Sequence, residues 1–239
     1  MTDSFAKTII LIPTFNEKEN IGPLVREIFN LYPSISVLVT DDSSLDGTAE
    51  EARSLQSLFP NLFLIQRSGR RGLGRSYLDG FRMVAGDQRY ENIVTMDADF
   101  SHNPKEISPM LEKLSKDSPW IVGSRYVDGG GVENWSLRRK LLSRFANFYV
   151  GFILGAGIAD MTAGFNCFKK SVLKSIDLES ISSDGYAFLV ELKYKAVKAG
   201  LRLSEHPITF LERREGQSKM SSGVIWESMW LPWRLKLGI

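Results

Sequence analysis

Residues 8–42 read TIILIPTFNEKENIGPLVREIFNLYPSISVLVTDD, and this pattern sets the architecture. Thr8–Ile12 is a short β-rich apolar run that stops at Pro13. Asn16 follows as a candidate helix cap, with Glu19 three residues on at the capping-box spacing. Ile21, Leu24, Val25, Ile28 and Leu31 then recur at helical intervals until Pro33. Ile35–Thr40 is the next strand, ending at Asp41-Asp42. The alternation continues with a helix over Thr48–Leu58 and a strand at Leu62–Ile65. A Gly-rich loop, SGRRGLGRS at 68–76, opens a helix that runs to Ala85. The strand Ile93–Met96, the helix Lys105–Leu114 and the strand Trp120–Val122 complete the series. Strands alternating with helices predict a mostly parallel α/β sheet flanked by helices. In such sheets ligands bind beyond the carboxyl ends of the strands. That edge receives Pro13–Glu17, Asp41-Asp42, Asp97-Ala98-Asp99 and Arg125.

The remainder is less regular. Leu137–Leu154 reads as a helix with a basic start (Arg138, Arg139, Lys140, Arg144) and an apolar body. Met161–Lys170 is a return strand and turn, Asp184–Ala199 a helix, Leu201–Phe210 a strand and Arg213–Lys219 a basic loop. The tail at 224–239 carries Trp226, Trp230 and Trp233. With no repeat and no linker, one domain over 1–239 is expected, with a core at about 7–220 and an amphipathic tail.

The 239 residues are 43% apolar and 24% charged, an ordinary globular composition. A net charge of +2 gives no reason to expect nucleic acid. A single cysteine, Cys167, excludes an internal disulfide and fits a reducing compartment. The N-terminus has no secretory pattern. The longest apolar run, Phe145–Ile158, falls short of the roughly 20 residues a bilayer span needs.

Asp97 and Asp99 could clamp Mg²⁺ or Mn²⁺, hard cations that share oxygen ligands with substrate phosphates, or could simply shape a turn. Asp41 with Ser43, Ser44 and Asp46 could bind a nucleobase and ribose, or form a polar turn with a cap. The Gly-rich loop lacks the spacing of known phosphate loops. It is either a tight turn or, with its arginines, a phosphate hold at a helix N-terminus. Arg125, Arg139, Arg213 and Lys219 are surface cations unless the fold converges them on a phosphate. His102 and His206 have no ligand-like partners and are assigned no catalytic role. The Trp-rich tail and the helix from Leu137 have the composition of segments that pack in a core or lie at a membrane surface.

Taken in order, several segments resemble the family 2 glycosyltransferases, within them the polyprenol (dolichol) monophosphate mannose synthases. They are Ile12–Glu17, Asp41–Ser44 with Asp46-Gly47-Thr48, Gly72-Leu73-Gly74 and Asp97-Ala98-Asp99. Beyond these lie Gly123–Tyr126, Val132–Trp135 with Arg138-Arg139, Gly185–Phe188 and Gly216–Lys219. The resemblance implies a GT-A (Rossmann-like) fold and transfer of mannose from GDP-mannose to a polyprenyl phosphate. It places Pro13, Phe15, Glu17 and Asp41 in the nucleoside pocket. Asp97, Ala98 and Asp99 would lie at the metal and donor diphosphate, with Ser101 as a further candidate ligand. Arg213 and Lys219 would close over the diphosphate, and Arg125, Arg139 and Ser143 would hold the acceptor phosphate. Phe15 replaces a common Tyr, and Thr162-Ala163-Gly164-Phe165 a common Thr-Ser-Gly-Phe. The chain would sit peripherally on the cytoplasmic side of a membrane, alone or with an anchoring subunit. A UDP-glucose-dependent relative on the same fold, a nucleotidyltransferase and a non-catalytic scaffold remain the rivals.

Overall fold

The computed structural model describes residues 2–68, 72–212 and 222–238. After a short helix α1 (Thr2–Ala6), strands β1 (Thr8–Thr14), β2 (Ser36–Asp41), β3 (Leu62–Gln66) and β4 (Asn92–Thr95) alternate with helices α2 (Lys18–Leu31), α3 (Thr48–Leu55) and α4 (Leu73–Ala85). A 3₁₀ turn (Pro104–Glu106), α5 (Ile107–Lys113) and β5 (Trp120–Ser124) follow. The second half holds β6 (Gly131–Val132), α6 (Leu137–Leu154), β7 (Asn166–Lys169), α7 (Val172–Ser175), α8 (Gly185–Lys198), β8 (Leu203–Pro207), β9 (Thr209–Phe210) and α9 (Ser222–Leu237).

Seven strands form one sheet in the order β3-β2-β1-β4-β7-β5-β8. All pairings are parallel except the two made by β7, which runs antiparallel between β4 and β5. β1 and β2 are buried along their whole length, as continuous Ile/Leu/Val runs dictate when both faces are covered. Ile9 and Leu11 pack on one side with α4, α6 and α8, whereas Ile10 and Ile12 pack on the other with α2, α3 and α5. The chain leaves β1 towards β2 and β3, then returns to lay β4 on the other flank of β1. That reversal opens a crevice at the carboxyl ends of β1, β2 and β4. β6 and β9 pair as a separate two-stranded ribbon.

α6 has the bounds its sequence predicts, capped by Ser136 and closed by Gly155 at φ +62°. Other expectations need correcting. Asn16 does not cap α2. It sits at φ +57°, and its side chain accepts the Leu45 amide instead, leaving Glu17 at the cap position. The strand at 201–210 is broken at Ile208 into β8 and β9, and the predicted α3 is shorter by three residues. The antiparallel insertion of β7 was not legible, because Asn166–Lys169 is too short to signal its direction.

Candidate active site

The crevice edge is built first by turns that hold their own carboxylates. Asp41 is fully buried and accepts from the Thr14 hydroxyl (3.0 Å), the Ser44 amide (3.0 Å) and the Ser44 hydroxyl (2.5 Å). Asp42 pairs with Arg67 and accepts the Gly72 amide (2.7 Å). Pro13 is buried, while Phe15 and Glu17 are half-buried beside it. The Glu17 carboxylate accepts from Asn20 (2.9 Å), and its backbone amide donates to Thr48.

The start of α4 corrects the phosphate reading of the Gly-rich loop. The Gly72 and Gly74 amides are taken by Asp42 and by Asp184 (2.9 Å). A side chain at Gly72, where φ is +154°, would overlap the Asp184 carboxylate. The described end of this loop is therefore a carboxylate-filled helix start; Arg70 and Arg71 lie outside the described residues.

Asp97, Ala98 and Asp99 leave β4 on the far side of β1, and the two carboxylates are not equivalent. Asp99 is buried, with Oδ1 accepting from the Ser101 hydroxyl (2.6 Å) and amide (3.1 Å). Ser101 is itself fully buried. Asp97 keeps 28% of its side chain exposed and faces Gly164, where an added Cβ would lie 3.4 Å from Oδ1. His102 closes the turn from below. Its Nδ1 accepts the Asp97 amide (3.0 Å), which puts the ring proton on Nε2, 4.0 Å from Asp97 Oδ2. Burial lowers the His102 pKa, and the attraction of Asp97 and Asp99 does not reverse this, so the ring is neutral. Among the described residues no group of three or more His, Cys, Asp or Glu side chains forms a complete metal cage. Two carboxylates one residue apart are a donor set that suits a hard cation whose remaining ligands come from substrate and water.

On the opposite wall the cations converge, as the sequence alone could not establish. Arg125 is buried, and its Nε and Nη2 bond Asp160 (2.7 Å each), with Nη2 also on the Thr162 hydroxyl (2.8 Å). Arg139 stacks 3.9 Å above the Trp135 ring and bonds Glu212 (3.2 Å). Arg125 lies 5.8 Å from the same ring. Ser143 receives the Tyr126 hydroxyl (2.6 Å), whose ring lies under Arg125. Phe210 on β9 joins the two walls, touching His102 (5.4 Å), Trp135 (5.4 Å) and Arg125 (5.4 Å), while the next amide, Leu211, donates to Ser101 O. Arg213 and Lys219 lie outside the described residues. A groove of about 500 Å³ runs from Tyr126 and Arg144 along Asn147, Phe148 and Phe152 to Ile158.

Sequence reasoning did not single out Asp160 or Phe210; His102, assigned no catalytic role, is a neutral ring that supports the Asp97 turn. Asp160 had a signal, a lone acidic residue in the apolar stretch 156–165; Phe210 had none.

The sequence profile described as "Glycosyl transferase family 2" matches residues 9–177. The chain is a family 2 glycosyl transferase. It is 43% identical over 225 residues to a Mycolicibacterium smegmatis protein named "Polyprenol monophosphomannose synthase", covering 93% of this chain and 84% of that one. It is 36% identical to an "Undecaprenyl-phosphate mannosyltransferase" of Micrococcus luteus, covering 93% and 91%. The fold of this transferase is similar to that of glucosyl-3-phosphoglycerate synthase from Mycobacterium tuberculosis crystallised with Mn²⁺ and UDP-glucose. The TM-score there is 0.69 at 15% identity, over 99% of this chain and 82% of that one. Mannosyl-3-phosphoglycerate synthase from Rubrobacter xylanophilus gives 0.63 at 20% identity, over 97% and 73%.

Proposed function

We propose that this family 2 glycosyl transferase moves mannose from GDP-mannose to a polyprenyl phosphate, inverting the anomeric centre. The observation that carries the reading is the pairing of two unlike walls across one crevice. Asp97 and Asp99 lie at the end of β4, and Phe210 links their turn, through His102, to a cluster built on Arg125, Arg139 and Trp135. The names of relatives at 43% and 36% identity support mannose and a polyprenyl phosphate as the groups concerned.

Pro13, Phe15 and Glu17 would line the nucleoside pocket, with Asp41 shaping it from beneath. Asp97 and Asp99 fit a hard divalent cation, Mg²⁺ or Mn²⁺, and Ala98 would add backbone contacts to the donor diphosphate. When bound, the cation would neutralise charge on the departing diphosphate. Arg213 and Lys219 would assist from the basic loop. Arg125, Arg139 and Ser143 would hold the acceptor phosphate in line with the sugar.

A phosphate monoester has its second pKa near about 6, so it arrives already ionised and needs no general base. Holding it in line supplies roughly 7–11 kcal/mol of the barrier. A single displacement from an α-linked donor gives a β-linked product.

The lipid acceptor also explains α6. Leu141, Leu142, Phe145, Phe148 and Phe152 are exposed on a helix whose first turns carry Arg138, Arg139, Lys140 and Arg144. Beside it, α9 is tied down by Trp233 Nε1 to Tyr149 (2.9 Å) and exposes Met229, Trp230 and Leu237. No helix among the described residues is long and apolar enough to cross a membrane. These faces would rest at the headgroup plane on the cytoplasmic side.

The test supplies radiolabelled GDP-mannose or UDP-glucose with a short prenyl phosphate, with and without EDTA, and extracts the product into organic solvent. Metal-dependent extraction of mannose label is expected. Label left in water, or preference for UDP-glucose, would overturn the proposal.

A further inference from the structure

A fully buried lysine lies beneath the segment that joins the two walls. Lys193, on α8, has 0% exposure, and its Nζ donates to Met161 O (3.2 Å) and Ala163 O (2.7 Å). Those carbonyls bracket Thr162, whose hydroxyl bonds Arg125 (2.8 Å) and whose amide donates to Asn147 (3.1 Å). Two residues before Thr162, Asp160 holds the Arg125 guanidinium; two after it, Gly164 abuts Asp97 and His102. The Gly164 carbonyl is fixed in turn by the Thr95 hydroxyl (2.7 Å). Residues 160–164 are therefore one strap with the acceptor-side guanidinium at one end and a donor-side carboxylate at the other.

Buried loop carbonyls need donors, and a water or an amide would serve. An ammonium ion is an expensive choice, because burying it costs more than the bonds return unless charge is balanced. The charged groups that act on Lys193 are Asp160 and Glu205, which favour its ion, and Arg125, which opposes it. Burial dominates and lowers its pKa to about 7. A costly buried basic group at the junction of two half-sites is expected where geometry matters more than stability.

We infer that Lys193 is a positioning residue for the transfer reaction, its Nζ pinning the Met161 and Ala163 carbonyls and so fixing Arg125 relative to Asp97. The inference rests on the donor and acceptor roles proposed above.

The test uses the full chain, with Lys193→Met, close in shape but uncharged, and Lys193→Gln, which keeps an amide donor. Melting temperature, calorimetric affinity for GDP with Mn²⁺, and kcat and KM with GDP-mannose and with UDP-glucose are measured beside the wild type. For Lys193→Met the melting temperature should fall by only a few degrees, since the Met161 carbonyl loses its donor while the cost of burying a basic group is removed. GDP affinity should stay within about 2-fold while kcat falls on the order of 10²-fold, the cost of a small misplacement. Lys193→Gln should recover part of that loss. Turnover of Lys193→Met close to wild type would overturn the inference. So would joint loss of melting temperature, GDP affinity and kcat in both variants, which would mark a purely structural lysine. A wild type silent with both sugar nucleotides would instead overturn the donor and acceptor reading, and the inference with it.

Discussion

The two walls of the crevice hold charge by different means. On the β1–β2–β4 edge, carboxylates are fixed by backbone amides and short hydroxyls only a few residues away, as Ser44 fixes Asp41 and Ser101 fixes Asp99. On the opposite wall, guanidinium groups are fixed by aromatic faces and by carboxylates far along the chain, as Trp135 carries Arg139 and Asp160 grips Arg125. The first wall is a local product of strand ends and turns. The second exists only once α6, the 160–164 strap and the β6–β9 ribbon have come together. An edge of this local kind suits a ligand set common to many transferases, and the assembled wall suits a site specialised for one acceptor.

The sharpest way to break this contrast is to remove charge from the local wall without disturbing its shape. Asp99→Asn should lower turnover on the order of 10³-fold, since cation-assisted charge stabilisation would be lost. Its melting temperature should stay near the wild-type value; steady-state kinetics and a thermal melt check both parts. On the assembled wall, charge and fold cannot be separated so cleanly. Arg125→Ala leaves Asp160 fully buried without its partner, and should cost about 3–5 kcal/mol in urea unfolding as well as acceptor binding.

Arg139 sharpens the comparison from the other side. It is partly exposed and pairs with an exposed Glu212, so Arg139→Ala should change stability by less than about 1 kcal/mol. Its acceptor KM should rise roughly tenfold, the worth of a lost charged contact near 1.4 kcal/mol.

The last effect, read as a slope with pH, concerns the strap between the walls. Lys193 holds its proton less tightly when folded, at about 7 against an ordinary 10.5. Between those values the unfolded chain binds more protons, so this group makes stability rise with pH, by at most about 1.4 kcal/mol per pH unit. Urea unfolding from pH 7 to 10 should show that rise in the wild type and a flatter curve in Lys193→Met.

The same contrast explains what the sequence disclosed. The first wall was legible because β-rich runs ending in Pro13, Asp41 and Asp97 announce strand ends by local chemistry, and an alternating chain puts those ends on one edge. Leu137–Leu154 was legible from its basic start and apolar body, down to its first and last residues. Trp135 and Arg139 were visible within one motif, but nothing near them in sequence said that Arg125 would approach the same ring. Phe210 and Lys193 were invisible as site residues. Each reads as ordinary core, and each acquires a role only through contacts with residues more than 29 positions away. The Gly-rich loop stayed open between tight turn and phosphate hold because amides at a helix start look the same whether phosphate or Asp184 is to fill them.

The division of labour between the walls is tested most directly by calorimetric titration of GDP with Mn²⁺ into the wild type, Asp99→Asn and Arg139→Ala. Binding should be strong in the wild type, lost in Asp99→Asn and unchanged in Arg139→Ala. Binding that survives in Asp99→Asn, or disappears in Arg139→Ala, would contradict the assignment of donor and acceptor to separate walls.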